Sequence, residues 1–290
     1  MEASFLLNQL TDGLSVIAIL ALVAVGLTII FGVMGVINLA HGEFLMLGAY
    51  SAYVTETAIH ADLFVALPIA FVVSAFVGLV CERVVIRHLY GRPLETLLAT
   101  FGIALILQQL VRLVFSARLL YVRQPTSLGG SVNVGPLHLS EYRTFVVVLA
   151  IVVVAAVFTI VTRTRFGLAL RAVVANRDMA SCLGIDTRRI DTYAFALGAG
   201  LAGIAGAVVA PLKSVSPTMG TTYVVDAFMV VVVGGVGNVL GALAGGSLVG
   251  GSETILGIFT NPVVAKIFVL CTVLVLLRVR PEGLIKVKRR

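Results

Sequence analysis

Residues 162–192, TRTRFGLALRAVVANRDMASCLGIDTRRIDT, form the longest polar interval in a chain otherwise built from apolar runs, and where they lie orients the rest. Arg163, Arg165, Arg171, Arg177, Arg188 and Arg189 fall inside this interval. The flanking stretches TFVVVLAIVVVAAVFTIV (144–161) and AFALGAGLAGIAGAVVA (194–210) carry no charge. Basic loops between two membrane spans are retained on the cytoplasmic side, which places this one inside the cell. Leu168, Ala172, Ala175, Met179 and Cys182 recur at three- and four-residue steps, which predicts an amphipathic helix outside the membrane, with Gly184 as its stop. A loop that only sets topology needs a few arginines and no more. This one is long enough to hold an ordered helix, so a cytoplasmic partner docking on it is expected, with a merely solvated loop as the plainer alternative.

Composition agrees with the membrane reading. The 290 residues are 59% hydrophobic and 12% charged, with mean hydropathy +1.09, and apolar runs of about 20 residues recur. The net charge of +7 is therefore no nucleic-acid footprint. Basic residues gather in 82–92, in 162–192 and in the tail 278–290, where anionic lipid at the cytoplasmic face is a sufficient partner. Cys81, Cys182 and Cys271 are too few and too scattered for a disulfide framework or a metal site. The first apolar run lacks a basic leader and a cleavage site and is expected to be a retained span.

Taken in order, the expected spans are 5–30, 41–59, 63–86, 94–115, 144–161, 193–212, a short segment 226–233, 239–258 and 263–277. That is an all-α polytopic membrane protein of about nine membrane segments, forming one transmembrane domain over 1–290, with the N-terminus outside and the C-terminus cytoplasmic. The long segment 116–141 falls outside, and its Gly, Pro, Ser and Asn content reads as loop with a short hairpin. Two segments are interrupted by glycine, one at Gly32, Gly35 and Gly42 and the other at Gly234, Gly235 and Gly237. Opened backbone at membrane depth is tolerated only against protein or a water-filled cavity. The two breaks superimpose with Gly32 on Gly234, Gly35 on Gly237, Ala40 on Ala242 and Gly48 on Gly250, a weak parallel repeat. Transport pathways commonly run where such repeats meet.

No G-x-x-x-x-G-K-[ST] occurs, so the chain is not expected to hydrolyse ATP through a P-loop, and no His, Cys and acidic cluster stands at metal spacing. The polar residues inside spans carry the functional interest, because burying them in lipid is expensive. Asn38, His41 and Glu43 sit at the first break. Asp226 and Glu253 flank the second, and Gln108 lies midway along the fourth span beside Gln109. Each also has a plainer reading: His41 and Glu43 as solvated caps at the membrane edge, Gln108 as a helix-to-helix hydrogen bond.

Three stretches carry a family likeness: GLTIIFGVMGVINLAHGEFLMLGAY (26–50), RFGLALRAVVANRDMASCLGIDTRRIDTYAFALGAGLAGIAGA (165–207) and VVVGGVGNVLGALAGG (231–246). Together they resemble the permease subunits of branched-chain amino acid ABC importers. TYVVDAFMVVVVGGVGN (222–238), ANRDMASCLGI (175–185) and AKIFVLCTVLVLLRVRPEGL (265–284) look more like the urea importer permease within that family. The resemblance implies an inner-membrane heterodimer with a second, related permease, two cytoplasmic ATPases that bind the ATP and magnesium, and a periplasmic binding protein. It implies no cofactor on this chain. It also makes the 171–184 helix a coupling helix, with Arg171, Asn176, Arg177, Asp178 and Gly184 at the ATPase. Alternating access is then expected, with Asn38, His41, Glu43, Gln108, Asp226 and Glu253 along the path and Gly234, Gly235 and Gly237 as hinges. Urea is the expected cargo and a branched-chain amino acid the alternative. A passive small-solute channel and a membrane-embedded enzyme remain as other classes.

Overall fold

The structure, a computed structural model, describes residues 2–134, 137–235, 237–279 and 283–284. Most of the basic tail 278–290 lies outside the described residues. The chain forms α1 (Glu2–Met34), α2 (His41–Ala58), α3 (Leu63–Val84), α4 (Pro93–Phe115), α5 (Glu141–Arg163), α6 (Arg165–Ala175), α7 (Arg177–Cys182), α8 (Thr187–Val209), α9 (Met219–Gly234), α10 (Val239–Phe259) and α11 (Pro262–Val279). Among the described residues, six stretches are long and apolar enough to cross a membrane: Thr11–Met34 of α1, and α3, α4, α5, α8 and α10. Helix is the expected answer for such runs, because only intrasegment hydrogen bonds satisfy a lipid-embedded backbone. Between α4 and α5 the chain forms the antiparallel hairpin β1 (Ser131–Val134) and β2 (Leu137–Ser140), with Ser131 opposite Ser140.

α1 and α8 form the centre, and α3, α4 and α5 turn broad apolar faces outward. α8 packs along α3 and also against α1 and α2. Small residues permit this: a Cβ added to Gly48 of α2 would run into the backbone of Gly203 in α8, so the two helices touch main chain to main chain. α4 touches chiefly α2 and the 3-10 turn Ile86–Leu89.

α1 ends at Met34, Gly35 follows with φ +66°, and the chain re-forms a helix at His41. In the second copy α9 ends at Gly234, Gly237 takes φ +79° and α10 starts at Val239. Left-handed backbone of this kind favours glycine. Of the residues paired by the superposition from sequence, Gly35 and Gly237 share this backbone, whereas Gly235, at φ +101°, falls on the helical Val33. The two intervals also touch, since a Cβ built on Gly32 would lie 3.4 Å from the Gly237 Cα. α1 packs on α10 and α2 on α9, a crosswise arrangement of the two copies.

The basic loop 162–192 differs from the single helix expected over 171–184. It is two helices, α6 and α7, broken at Asn176. Three side chains punctuate it. Thr164 Oγ1 accepts from Gly167 N at 3.1 Å, Asn176 Oδ1 from Met179 N at 3.0 Å, and Asp186 Oδ1 from Arg189 N at 3.2 Å. Each oxygen satisfies a donor that the first turn of a helix leaves free, so Asn176 starts a new helix and turns the chain. Gly184, with φ +83°, follows the end of α7, in keeping with its reading as a stop.

Candidate functional site

Polar side chains inside the bundle gather in two places, and a third cluster lies beneath α6 and α7. The first surrounds the start of α2. His41 Nε2 donates to the Val23 carbonyl at 3.0 Å, and Val23 lies halfway along the span Thr11–Met34. α2 therefore begins in the interior of the bundle and not at its edge. Asn38, His41 and Glu43 are almost wholly buried, which removes the reading of His41 and Glu43 as solvated caps. Gln108 Nε2 of α4 donates to Glu43 Oε1 at 2.8 Å and to Thr221 Oγ1 of α9 at 3.2 Å. One amide thus joins three helices. Asn38 Nδ2, His41 Nδ1 and Glu43 Oε2 are buried without a hydrogen-bond partner among the described residues, an expensive arrangement where water is absent. Thr221, Thr222 and Gln109 are exposed on the flank of this cluster.

The second place is a cavity of about 140 Å³ between α1, the start of α5, the α8–α9 connection, α9 and α10. Asp226 and Glu253 line it, with Tyr223, Arg143, Lys213 and Ser15. Asp226 is buried and pairs with Lys266 of α11, Nζ to Oδ1 at 2.7 Å. Arg143 pairs with Asp12 at 2.6 Å. The Lys213 ammonium stands 5.4 Å from the Tyr223 ring centroid. Both signs of charge therefore border one space. Sequence reasoning found the two acids and missed Lys266, Lys213 and Arg143. A lysine forty positions from its acid gives no local signal, although a charged residue at the start of an apolar span is itself a reason to look for a partner.

The third cluster holds α7 against the membrane helices. Arg177 forms an ion pair with Asp191 of α8, and its guanidinium lies 5.0 Å from the Tyr90 ring centroid. Tyr90 Oη donates to Glu82 Oε1 of α3 at 3.2 Å. Thr192 Oγ1 donates to Glu82 Oε2 at 2.7 Å, with the Arg188 carbonyl as its alternative acceptor. Arg87 donates to Thr192 Oγ1 at 2.9 Å and lies 3.6 Å from Glu82 Oε2. Glu82, Asp191 and Thr192 are buried. Burial, reinforced by the Asp191 and Glu82 carboxylates, raises the Tyr90 pKa above its ordinary value, so the hydroxyl remains a donor at any physiological pH. Arg177 thus turns its guanidinium toward α8 and Tyr90 while its side chain stays 37% exposed. Arg171, Asn176, Asp178 and Gly184 remain exposed, as do Leu168, Met179 and Leu183.

Of the hinge candidates, Gly235 takes φ +101° and Gly237 φ +79°. Gly234 is the last residue of α9, with the Gly241 backbone where a Cβ would be.

Long apolar helices around a partly polar interior, with a folded basic segment at one end, define a multi-pass membrane permease. The chain belongs to the family of branched-chain amino acid transport system permease components, whose profile it matches over residues 9–277. It is 31% identical over 262 residues to the high-affinity branched-chain amino acid permease protein BraD of Pseudomonas aeruginosa, covering 85% of both chains. It is 29% identical over 298 residues to the corresponding LivH protein of Escherichia coli K12, covering 97% of this chain and 96% of LivH. The ribose import permease RbsC of Escherichia coli K12 is 30% identical over 257 residues, 85% of this chain and 77% of RbsC. No solved structure matches.

Proposed function

We propose that this chain is the membrane permease of an ATP-driven importer that carries branched-chain amino acids inward by alternating access. The observation that carries the ATP-driven part is the α6–α7 pair. Each of its two helices is N-capped, the pair is anchored from beneath, and it turns Leu168, Met179 and Leu183 outward. A passive channel has no use for such a surface. The family and the two amino acid permease relatives favour the amino acid cargo over urea. So does the cavity at Asp226. Urea needs only neutral donors and acceptors, whereas an amino acid brings an ammonium and a carboxylate, and groups of both signs border that space.

In this reading the chain crosses nine times, with its N-terminus outside and its C-terminus in the cytoplasm, and pairs with a second permease, two ATPases and a periplasmic binding protein. Arg171, Asn176, Asp178 and Gly184 shape the ATPase-facing surface. Asn38, His41, Glu43 and Gln108 line the inner part of the path, and Asp226 and Glu253 its outer part. Gln109, Thr221 and Thr222 are polar and exposed beside the first group, so that flank faces protein or water and not lipid tails. Gly235 and Gly237 are the hinge.

The test is uptake of labelled leucine and labelled urea, at matched concentrations, into vesicles containing the assembled importer. Leucine uptake that needs both ATP and the binding protein is expected. ATP-driven urea uptake without leucine uptake would return the cargo to urea, and flux without ATP would make the chain a channel.

A further inference from the structure

Chain connectivity alone ties α7 to the membrane only through α6 and through the turn at Gly184. The third cluster adds side-chain ties. Going inward from α7, they pass from Arg177 to Asp191 and the Tyr90 ring, from Tyr90 to Glu82, and from Glu82 to Thr192. They end on α3 and α8, two helices that lie against each other from Glu82 and Thr192 to Ser74 and Gly203. One helical turn beyond Asp191, Phe195 meets Phe44 edge-on at 5.8 Å, and Phe44 adjoins Glu43. The connection from the cytoplasmic surface to the polar cluster at the start of α2 is therefore continuous.

We propose that Glu82, Tyr90, Asp191 and Thr192 are positioning residues that form the link by which displacement of α7 moves α3 and α8 as one body, with Arg177 as its attachment on α7. This rests on the reading of the chain as an ATP-driven permease. Charge compensation is the reason the link holds through a cycle. Two buried carboxylates face two guanidiniums, and pulling Arg177 out of its seat would leave Asp191 buried and unpaired, which costs more than moving α8 along with α7. The raised Tyr90 pKa keeps the hydroxyl bond to Glu82 intact at working pH.

The test compares the assembled importer in vesicles with three variants. Tyr90→Phe keeps the ring under Arg177 and removes the bond to Glu82. Thr192→Val is isosteric and removes the hydroxyl, and Thr192→Ser restores it. Two quantities are read, leucine taken up per ATP hydrolysed and, with the exposed Cys182 and Cys271 replaced by serine, ATP-driven change in maleimide labelling of a cysteine placed at the half-buried Ala61 between α2 and α3. The labelling needs no cargo. For Tyr90→Phe and Thr192→Val both are expected to fall about three- to tenfold, the size of a coupling between contacting residues, while the ATPases still co-purify. Thr192→Ser is expected to behave as the parent. Uptake and hydrolysis falling together at an unchanged ratio, or loss of the ATPases from the complex, would overturn the link and leave these residues a packing role. A parent protein that shows neither leucine uptake nor ATP-driven labelling would instead overturn the functional reading on which the link rests.

Discussion

Gln108 is the residue on which the interior polar cluster depends. Its amide is the donor to the buried Glu43 carboxylate and also reaches Thr221. Leucine at position 108 keeps the bulk and strips Glu43 Oε1 of its partner, an unsatisfied buried acceptor that costs about 1–3 kcal/mol. Gln108→Leu is therefore expected to reduce leucine uptake about tenfold or more, without changing the affinity of the binding protein for the complex; uptake kinetics equal to the parent's would make Gln108 a packing residue. Asn176 acts at the same scale. Replacing it with alanine removes the cap of α7 at a cost of about 1 kcal/mol, and ATPase retention by the purified permease is expected to weaken while the membrane helices stay folded. Sequence alone located Gln108, because an amide in mid-span has to find a partner. It did not reveal the break at Asn176, since the apolar spacing from Leu168 to Cys182 runs straight through it and only the asparagine hints at a cap. Arg177 was legible as charged but not as paired. Its partner Asp191 lies beyond the turn at Gly184, and only the folded loop brings the two together.

Among the elements, those written as uninterrupted apolar runs could be read almost to the residue. α2, α4 and α10 begin and end where composition changes. What composition could not supply is which faces meet, because a lipid-facing valine and a core valine are the same letter. Glycine is the partial exception. The contact between α2 and α8 at Gly48 and Gly203 is main chain to main chain, so Gly48→Ala forces the helices apart and is expected to cost about 1–3 kcal/mol, as overpacking does elsewhere. Thermal denaturation of the detergent-solubilised protein reads this directly, and an unchanged midpoint would mean that the helices separate freely. Asp226→Asn tests the α9–α11 tie. It leaves the Lys266 ammonium without its carboxylate, and since that side chain is a third exposed, a loss of about 1–2 kcal/mol is expected, less than for a fully buried pair. The same melting experiment, repeated with Lys266→Met added, should recover most of the loss.

Across the whole molecule α1 packs on α10 and α2 on α9, α8 lies against α1, α2 and α3, α4 and α5 stand on the flanks, and the folded loop α6–α7 lies at one end. The two breaks lie back to back at Gly32 and Gly237. A side chain larger than hydrogen at Gly32 would press on the Gly237 backbone, and one at Gly237 on the Gly32 backbone, so the two substitutions are expected to obstruct the same movement.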